Sequence, residues 1–217
     1  MIFQLNDLCL GTSRLLPEKC RTCGWWQGHD DGGPAATAAA AWAHAAEESF
    51  GRWGKLALDD GRLLGMLQFG PAGLFPRSRK LACGPPGGDS VLITCSSVSS
   101  PELEPVRKSL LLAAVTELEG DGVETIEAFC RTAPAERGDC HLLDEGFLKS
   151  CGFYPVKSSR RLRLMRLELA GLQPVKYRSR KSRLKILGRI KRAAPSPTPV
   201  TLCKAEPRGK AKAAMPL

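Results

Sequence analysis

A chain of 217 residues, 43% hydrophobic and 25% charged, is long enough for one ordinary domain plus an appendage. No run approaches the roughly 20 apolar residues of a membrane span. The N-terminal MIFQLNDLCLGTSR lacks the basic start and apolar centre of a signal peptide, so a cytoplasmic protein is expected. Its nine scattered cysteines then read as reduced thiols rather than a disulfide framework. The charge of +10 is unevenly placed. From Leu172 onward there are 13 Lys and Arg against one acid, Glu206, while residues 1–171 hold 19 basic and 21 acidic residues. The body is nearly neutral and the tail carries the basicity.

Residues 1–34 read as an irregular N-terminal segment with a short strand at 2–5. Within it, CRTCGWWQGHDDGG (20–33) gathers Cys20, Cys23, Trp25, Trp26 and His29. A zinc reading takes Cys20, Cys23, His29 and Asp30 or Asp31 as ligands, but structural zinc draws on two separated pairs and no second CxxC or HxxxH appears. A redox reading needs the CxxC at a helix start in a thioredoxin-like unit, which the flanks do not provide. The sequence favours a loop whose Trp and Cys side chains cover one edge of the core, with no metal. Pro34 then opens an alanine-rich helix that ends at Gly51 or Gly54, its Trp42 side inward and Glu47 and Glu48 outward. KLALDDGRLLGMLQFG (55–70) is a hairpin turning at Asp59-Asp60-Gly61, where Gly supplies positive φ. The Gly- and Pro-rich loop 71–89, with Arg77, Arg79 and Lys80, is long enough to line a binding site or to be a solvated face.

VLITCSSV (91–98) is a buried strand, and from Pro105 the chain turns helical, with Leu111, Val115 and Leu118 on one face. Gly120-Asp121-Gly122 stops that helix, and 123–130 is the next strand. Strand, helix and strand at this spacing make a crossover with parallel strands. The turn at the helix start is a common way to hold a phosphate. A polar loop (131–140), a short helix closed by Gly152 and two further strands follow. A change of apolar face between Leu164 and Met165 suggests a bulge in the last strand. The expected fold is α+β: a mixed, mostly antiparallel sheet of about six strands with helices on both faces.

This order resembles the GNAT acyl-CoA N-acyltransferases over residues 35–169, within a domain set at 35–171. GRLLGMLQFGPA looks like the family's second and third strands. VLITCSSV followed by KSLLLAAVTELEGDGVETIEAFC looks like its central strand, acetyl-CoA helix and next strand, and FLKSCGFYPV like its helix ending in Gly-Phe. The resemblance implies transfer of an acetyl group from acetyl-CoA, or another acyl-CoA, to an unidentified small-molecule or protein amine. It implies cofactor contacts at Ile93, Thr94, Cys95, Ser96 and Val98, with the amides around Ile93–Ser96 polarising the thioester carbonyl. The family's diphosphate loop, Q/R-x-x-G-x-G/A, falls on Glu102 to Arg107, where both glycines are missing and Pro105 lacks an amide hydrogen. Arg107 and Lys108 then serve as side-chain phosphate ligands, or are ordinary solvated helix residues. The family's acid tyrosine falls on Leu148, so Tyr154 is its replacement or else a half-buried strand residue. Glu127 is the expected base for the amine, or an outward side chain. Cys95 has no adjacent His and reads as a small core residue.

The tail, 172–217, is expected to be largely disordered. Its 176–192 stretch forms a basic amphipathic helix suited to an acidic partner, nucleic acid or an anionic surface, or stays a solvated tail. Against acyl transfer stand two other functions: a GNAT-fold binding or regulatory protein without catalysis, and nucleic-acid association through the tail.

Overall fold

The structure, a computed structural model, describes residues 2–29, 33–133 and 140–169. Its elements are β1 (Gln4–Leu8), α1 (Glu18–Arg21), α2 (Gly33–Phe50), β2 (Gly54–Asp59), β3 (Arg62–Pro71), β4 (Val91–Val98), α3 (Glu104–Gly120), β5 (Thr125–Arg131), β6 (Leu143–Asp144), α4 (Glu145–Ser150), β7 (Tyr154–Ser158) and β8 (Leu162–Glu168). The sheet runs β1-β2-β3-β4-β5-β8-β7, with β6 beside β5. Every pairing is antiparallel except β4 with β5 and β5 with β6. The hairpin forms as read, with Asp60 and Gly61 at φ of 45° and 78°. The parallel crossover through α3 also forms as read.

Several expectations shift. The first strand lies at Gln4–Leu8 rather than 2–5, and eight strands replace about six. The irregularity expected inside the last strand belongs to its neighbour. β8 pairs continuously with β5, while in β7 the partners step from Pro155 to Lys157 as β8 steps from Met165 to Leu164. Val156 is the extra residue. Leu164 and Met165 are both buried because β8 has a packed layer on each side, so ordinary alternation looked like a change of face.

Each face carries its own core. On one, Val106, Leu110, Leu111, Ala114 and Leu118 of α3 cover Leu67, Ile93, Ala128 and Cys130, with Phe147 and Leu148 of α4 alongside. On the other, Trp42, Ala43 and Ala46 of α2 meet Trp26, Trp53, Phe75, Leu92 and Phe129. Trp42 and Trp53 meet edge-on at 5.3 Å, the favoured aromatic arrangement. Glu47 does not face outward: its carboxylate accepts the Leu10 amide at 2.5 Å. Buried Lys55 is ion-paired with Asp7 at 2.5 Å and with Glu117, which ties α3 to the sheet. Among the described residues, seven cysteines carry no disulfide, whereas Cys9 is disulfide-bonded, against the expectation of reduced thiols throughout.

Cys130 makes the fold sensitive to alkali. Burial first, then the Glu145 carboxylate, pushes its thiol from 9.0 to about 11, with Arg163 opposing. The unfolded chain therefore ionises first. The contribution of this thiol is intact below pH 9.0 and is lost as pH rises to about 11. A thermal midpoint followed over that window should fall, and Cys130→Ala should remove part of the fall.

Candidate active site

β4 and β5 separate part-way along their length. They pair only at Val91–Ile126, Leu92–Glu127 and Ile93–Ala128. Beyond this point β5 keeps β8 on one edge and takes β6 on the other, through Cys130 and Arg131. The second half of β4, residues 94–98, thus has β3 on one edge and no strand on the other among the described residues. The gap is bounded by β4 and β6.

A bulge sits at the fork. Phe69 pairs with Ile93 and Leu67 with Ser96, so β4 advances three residues while β3 advances two. An extra residue re-aims the side chains after it. Cys95 packs with the α2-side core, while Val98 packs with the α3-side core. By alternation Ser96 accompanies Val98, and its buried hydroxyl has no hydrogen-bond partner among the described residues. Thr94 is fully buried and donates to Gln68 Oε1 at 3.0 Å. Ile93 belongs to the α3-side core.

Where Cys95 and Ser97 emerge lies a cavity of about 200 Å³, lined also by Gln68, Trp53, Cys23 and His141. Trp53 Nε1 and Gln27 Oε1 at its wall are buried without hydrogen-bond partners among the described residues, which fits a polar guest. His141 is held by the N-terminal loop. Its Nε2 lies 3.3 Å from Cys23 Sγ, and its ring stacks on Trp25 at 4.6 Å and 12°. Trp25 also carries the Arg77 guanidinium at 4.6 Å, while Arg77 Nε donates to the Trp25 carbonyl. Trp26 lies in the core, so the WW pair does cover a core edge. The Cys95 thiol is pushed well up, first by its hydrogen bond with Cys140, then by burial. Sequence reading missed His141, which looked like the start of a helix; its signal was the adjacent Cys140-His141 pair.

The turn before α3 has spent its amides. A 3-10 turn covers Pro101–Leu103; the Leu103 amide donates to Ser100 O at 3.1 Å and the Glu104 amide to Pro101 O. Pro105 has no amide hydrogen. Arg107 is ion-paired with Glu104 at 3.0 Å and lies 3.7 Å over the Phe147 ring, its side chain 17% exposed. Burial draws its guanidinium below the usual range, against the pull of Glu104. Lys108 is exposed.

Glu127 and Tyr154 stand elsewhere. Leu92, Glu127, Arg166 and Tyr154 form one row across the sheet, in its paired half. Cys95 and Ser97 are three and five residues further along β4, roughly 10–16 Å at ~3.3 Å per residue. Glu127 is fully buried and both its oxygens are taken. Oε1 receives Arg166 Nε and Nη2 at 3.1 and 2.9 Å; Oε2 receives the Gly87 amide at 2.6 Å and Ser90 Oγ at 3.0 Å. Tyr154 is 45% exposed, and its hydroxyl donates to Glu168 Oε1 at 3.0 Å. Burial and then that bond raise its pKa. Of the ligands in the zinc reading, His29 is exposed and Asp30 and Asp31 lie outside the described residues.

No protein-family model matches the sequence. No curated protein matches it either. Solved structures do share its architecture. An N-acetyltransferase from Staphylococcus aureus Mu50 aligns over 78% of this chain and 99% of its own, at 12% identity and a TM-score of 0.51. Salmonella typhimurium yncA, a putative acetyltransferase solved with its cofactor acetyl-CoA, aligns over 78% and 95%, at 14% identity and 0.49. The ribosomal-protein-S18-alanine N-acetyltransferase of Escherichia coli aligns over 81% and 99%, at 13% and 0.48. The first of these carries the conclusion: with its forked β4–β5 pair and its strand order, the chain has a GNAT-like fold, shared with that N-acetyltransferase.

Proposed function

We propose that the chain is an N-acyltransferase that passes an acetyl group from acetyl-CoA, or another acyl-CoA, to an amine. One observation carries this: the unpaired edge of β4 at 94–98 runs beside a cavity with orphaned polar groups. A pantetheine arm has amides spaced to pair with such an edge as a short added strand. Its thioester would then lie at the bulge, where the amides around Ile93–Ser96 would polarise the carbonyl. The amine enters from the cavity past Ser97 and attacks the carbonyl carbon. The thiolate of CoA leaves, and the amine's proton passes to water. Glu127 anchors loop 71–89 and Tyr154 is a surface residue of the same row, so neither takes a step.

The diphosphate falls to side chains, because the turn offers few amides. Arg107 would have to exchange Glu104 for phosphate. Arg107→Ala should weaken acetyl-CoA binding by roughly 10- to 100-fold, the worth of one or two charged hydrogen bonds. Loss of the stack on Phe147 should cost only about 1 kcal/mol of stability. Lys108→Ala should matter less, since that side chain is exposed. Isothermal calorimetry of the full chain with acetyl-CoA tests the proposal; no binding at millimolar cofactor overturns it.

A second reading has its own support. Glu102, Glu104 and Pro105 in the turn oppose a diphosphate, which favours a GNAT-fold binding or regulatory protein without catalysis. Cofactor binding without acetylation of any amine in a diverse panel would select it. The basic stretch 176–192 lies outside the described residues. If it binds nucleic acid, removing 172–217 should abolish DNA affinity and its salt dependence. No helix of the described residues is long and apolar enough to cross a membrane.

A further inference from the structure

The same cavity gathers more sulfur than acyl transfer explains. Cys20, Cys23, Cys95, Cys140 and His141 all line it, brought from four separate places in the chain: the end of α1, the turn after it, β4, and the loop before β6. Cys23 Sγ lies 3.3 Å from His141 Nε2. Cys95 is hydrogen-bonded to Cys140. Two ligands of a tetrahedral zinc, at about 2.3 Å for sulfur and about 2.0–2.1 Å for nitrogen, stand roughly 3.5 Å apart. The Cys23–His141 spacing is already close to that edge.

We propose that Cys20, Cys23, Cys140 and His141 form a structural zinc site, with the Cys95 thiol as the hydrogen-bonding neighbour of Cys140. The second pair that the CxxC lacks in sequence is Cys140-His141, adjacent residues arriving from the far side of β5. Three thiolates and an imidazole are a common closed zinc set, whereas calcium and magnesium prefer oxygen ligands. As the side chains stand, no three such groups among the described residues are placed to hold an ion together. Of the four donors, Cys23 and His141 already touch, while Cys140 is hydrogen-bonded to Cys95 and Cys20 lines the same cavity. Closing the shell asks Cys20 and Cys140 to turn toward the Cys23–His141 pair. Cys20 lies in a four-residue helix and Cys140 in a loop, so neither is fixed by a long element. Each thiol gives up its proton to solvent on binding, and no redox change is involved.

The consequence is structural. The metal would clamp the N-terminal loop to the segment leading into β6, across the open side of β4. It would set the shape of the cavity independently of whether an acyl-CoA ever enters.

The test uses the full chain purified under reducing conditions, without added metal, followed by elemental analysis. One zinc per chain is expected, and its removal by a strong chelator should lower the thermal midpoint. Cobalt added to the stripped protein should give a thiolate-to-metal charge-transfer band and the intense visible bands of a tetrahedral site. Cys23→Ser and His141→Ala should lose the metal, while Cys83→Ser, Cys151→Ser and His29→Ala should keep it. If the ligand variants fail to fold, the stoichiometry and cobalt spectrum of the parent chain decide alone. Absence of bound zinc together with no cobalt spectrum overturns the proposal. So does metal lost with His29→Ala, or a Cys20–Cys23 or Cys95–Cys140 disulfide in the purified chain.

Discussion

Glu127→Ala should melt roughly 10 °C below the parent chain while binding acetyl-CoA within about twofold of it. The carboxylate is fully buried, yet each of its oxygens is answered: Arg166 grips one, and the Gly87 amide and Ser90 hydroxyl hold the other. Truncation leaves the Gly87 amide without its acceptor and Arg166 without its main counter-ion, while the Ser90 hydroxyl keeps only the Gly87 carbonyl at 2.8 Å. Removing one member of a buried pair costs about 3–5 kcal/mol. The lower end applies, because the Arg166 side chain is 33% exposed and has Glu168 at 3.5 Å as a second acceptor. In a chain of this length about 3 kcal/mol corresponds to roughly 6–12 °C. Glu127→Gln, which keeps an acceptor and loses the charge, should fall between. Differential scanning calorimetry beside cofactor titration separates the two roles. A variant that kept its midpoint but lost turnover would make Glu127 a base after all.

Glu127 also shows where a sequence stops informing. A carboxylate on the strand beside the expected cofactor groove suggests acid–base chemistry as long as its partners are unseen. Its partners Ser90, Arg166 and Gly87 lie 37, 39 and 40 residues away, joined to it only by sheet pairing and loop return. Local signals survived well. Asp60-Gly61 demands a tight turn, and the helix stop at Gly120–Gly122 and the strand after it fix the crossover by length alone. Pairwise signals did not. The bulge at Thr94–Cys95 is defined by β3 stepping two residues for β4's three, and nothing in VLITCSSV announces it. β6 has two residues, too few for any periodicity. Cys140 and His141 carry meaning only beside Cys23 and Cys95, which the chain supplies from more than a hundred and about forty-five residues earlier. The missing diphosphate glycines, in contrast, were legible, and the occupied amides of the turn are their physical consequence.

The outer half of β4 offers the sharper test of function, through Gly65. This glycine pairs with Val98, and a Cβ built on it would stand 2.9 Å from Ser97 O, 3.0 Å from Val98 Cγ1 and 3.3 Å from Leu110 Cδ1. The first contact is backbone, so the strand itself must move. Overpacking of this kind costs about 1–3 kcal/mol. Gly65→Ala should therefore lower stability modestly and displace residues 97–98, the end of the edge proposed to receive the pantetheine arm. Cofactor affinity should fall by up to about tenfold, the cost of one lost main-chain hydrogen bond of about 0.5–1.5 kcal/mol. Gly61 gives no such clash, since nothing lies within 4 Å of its Cβ position, but its φ of 78° makes substitution strained. Gly61→Ala thus controls for stability: it should destabilise the hairpin turn by a similar amount and leave acetyl-CoA binding unchanged. Equal losses of binding in the two variants would mean that affinity tracks folding alone, and the β4 edge would lose its place as the cofactor's strand.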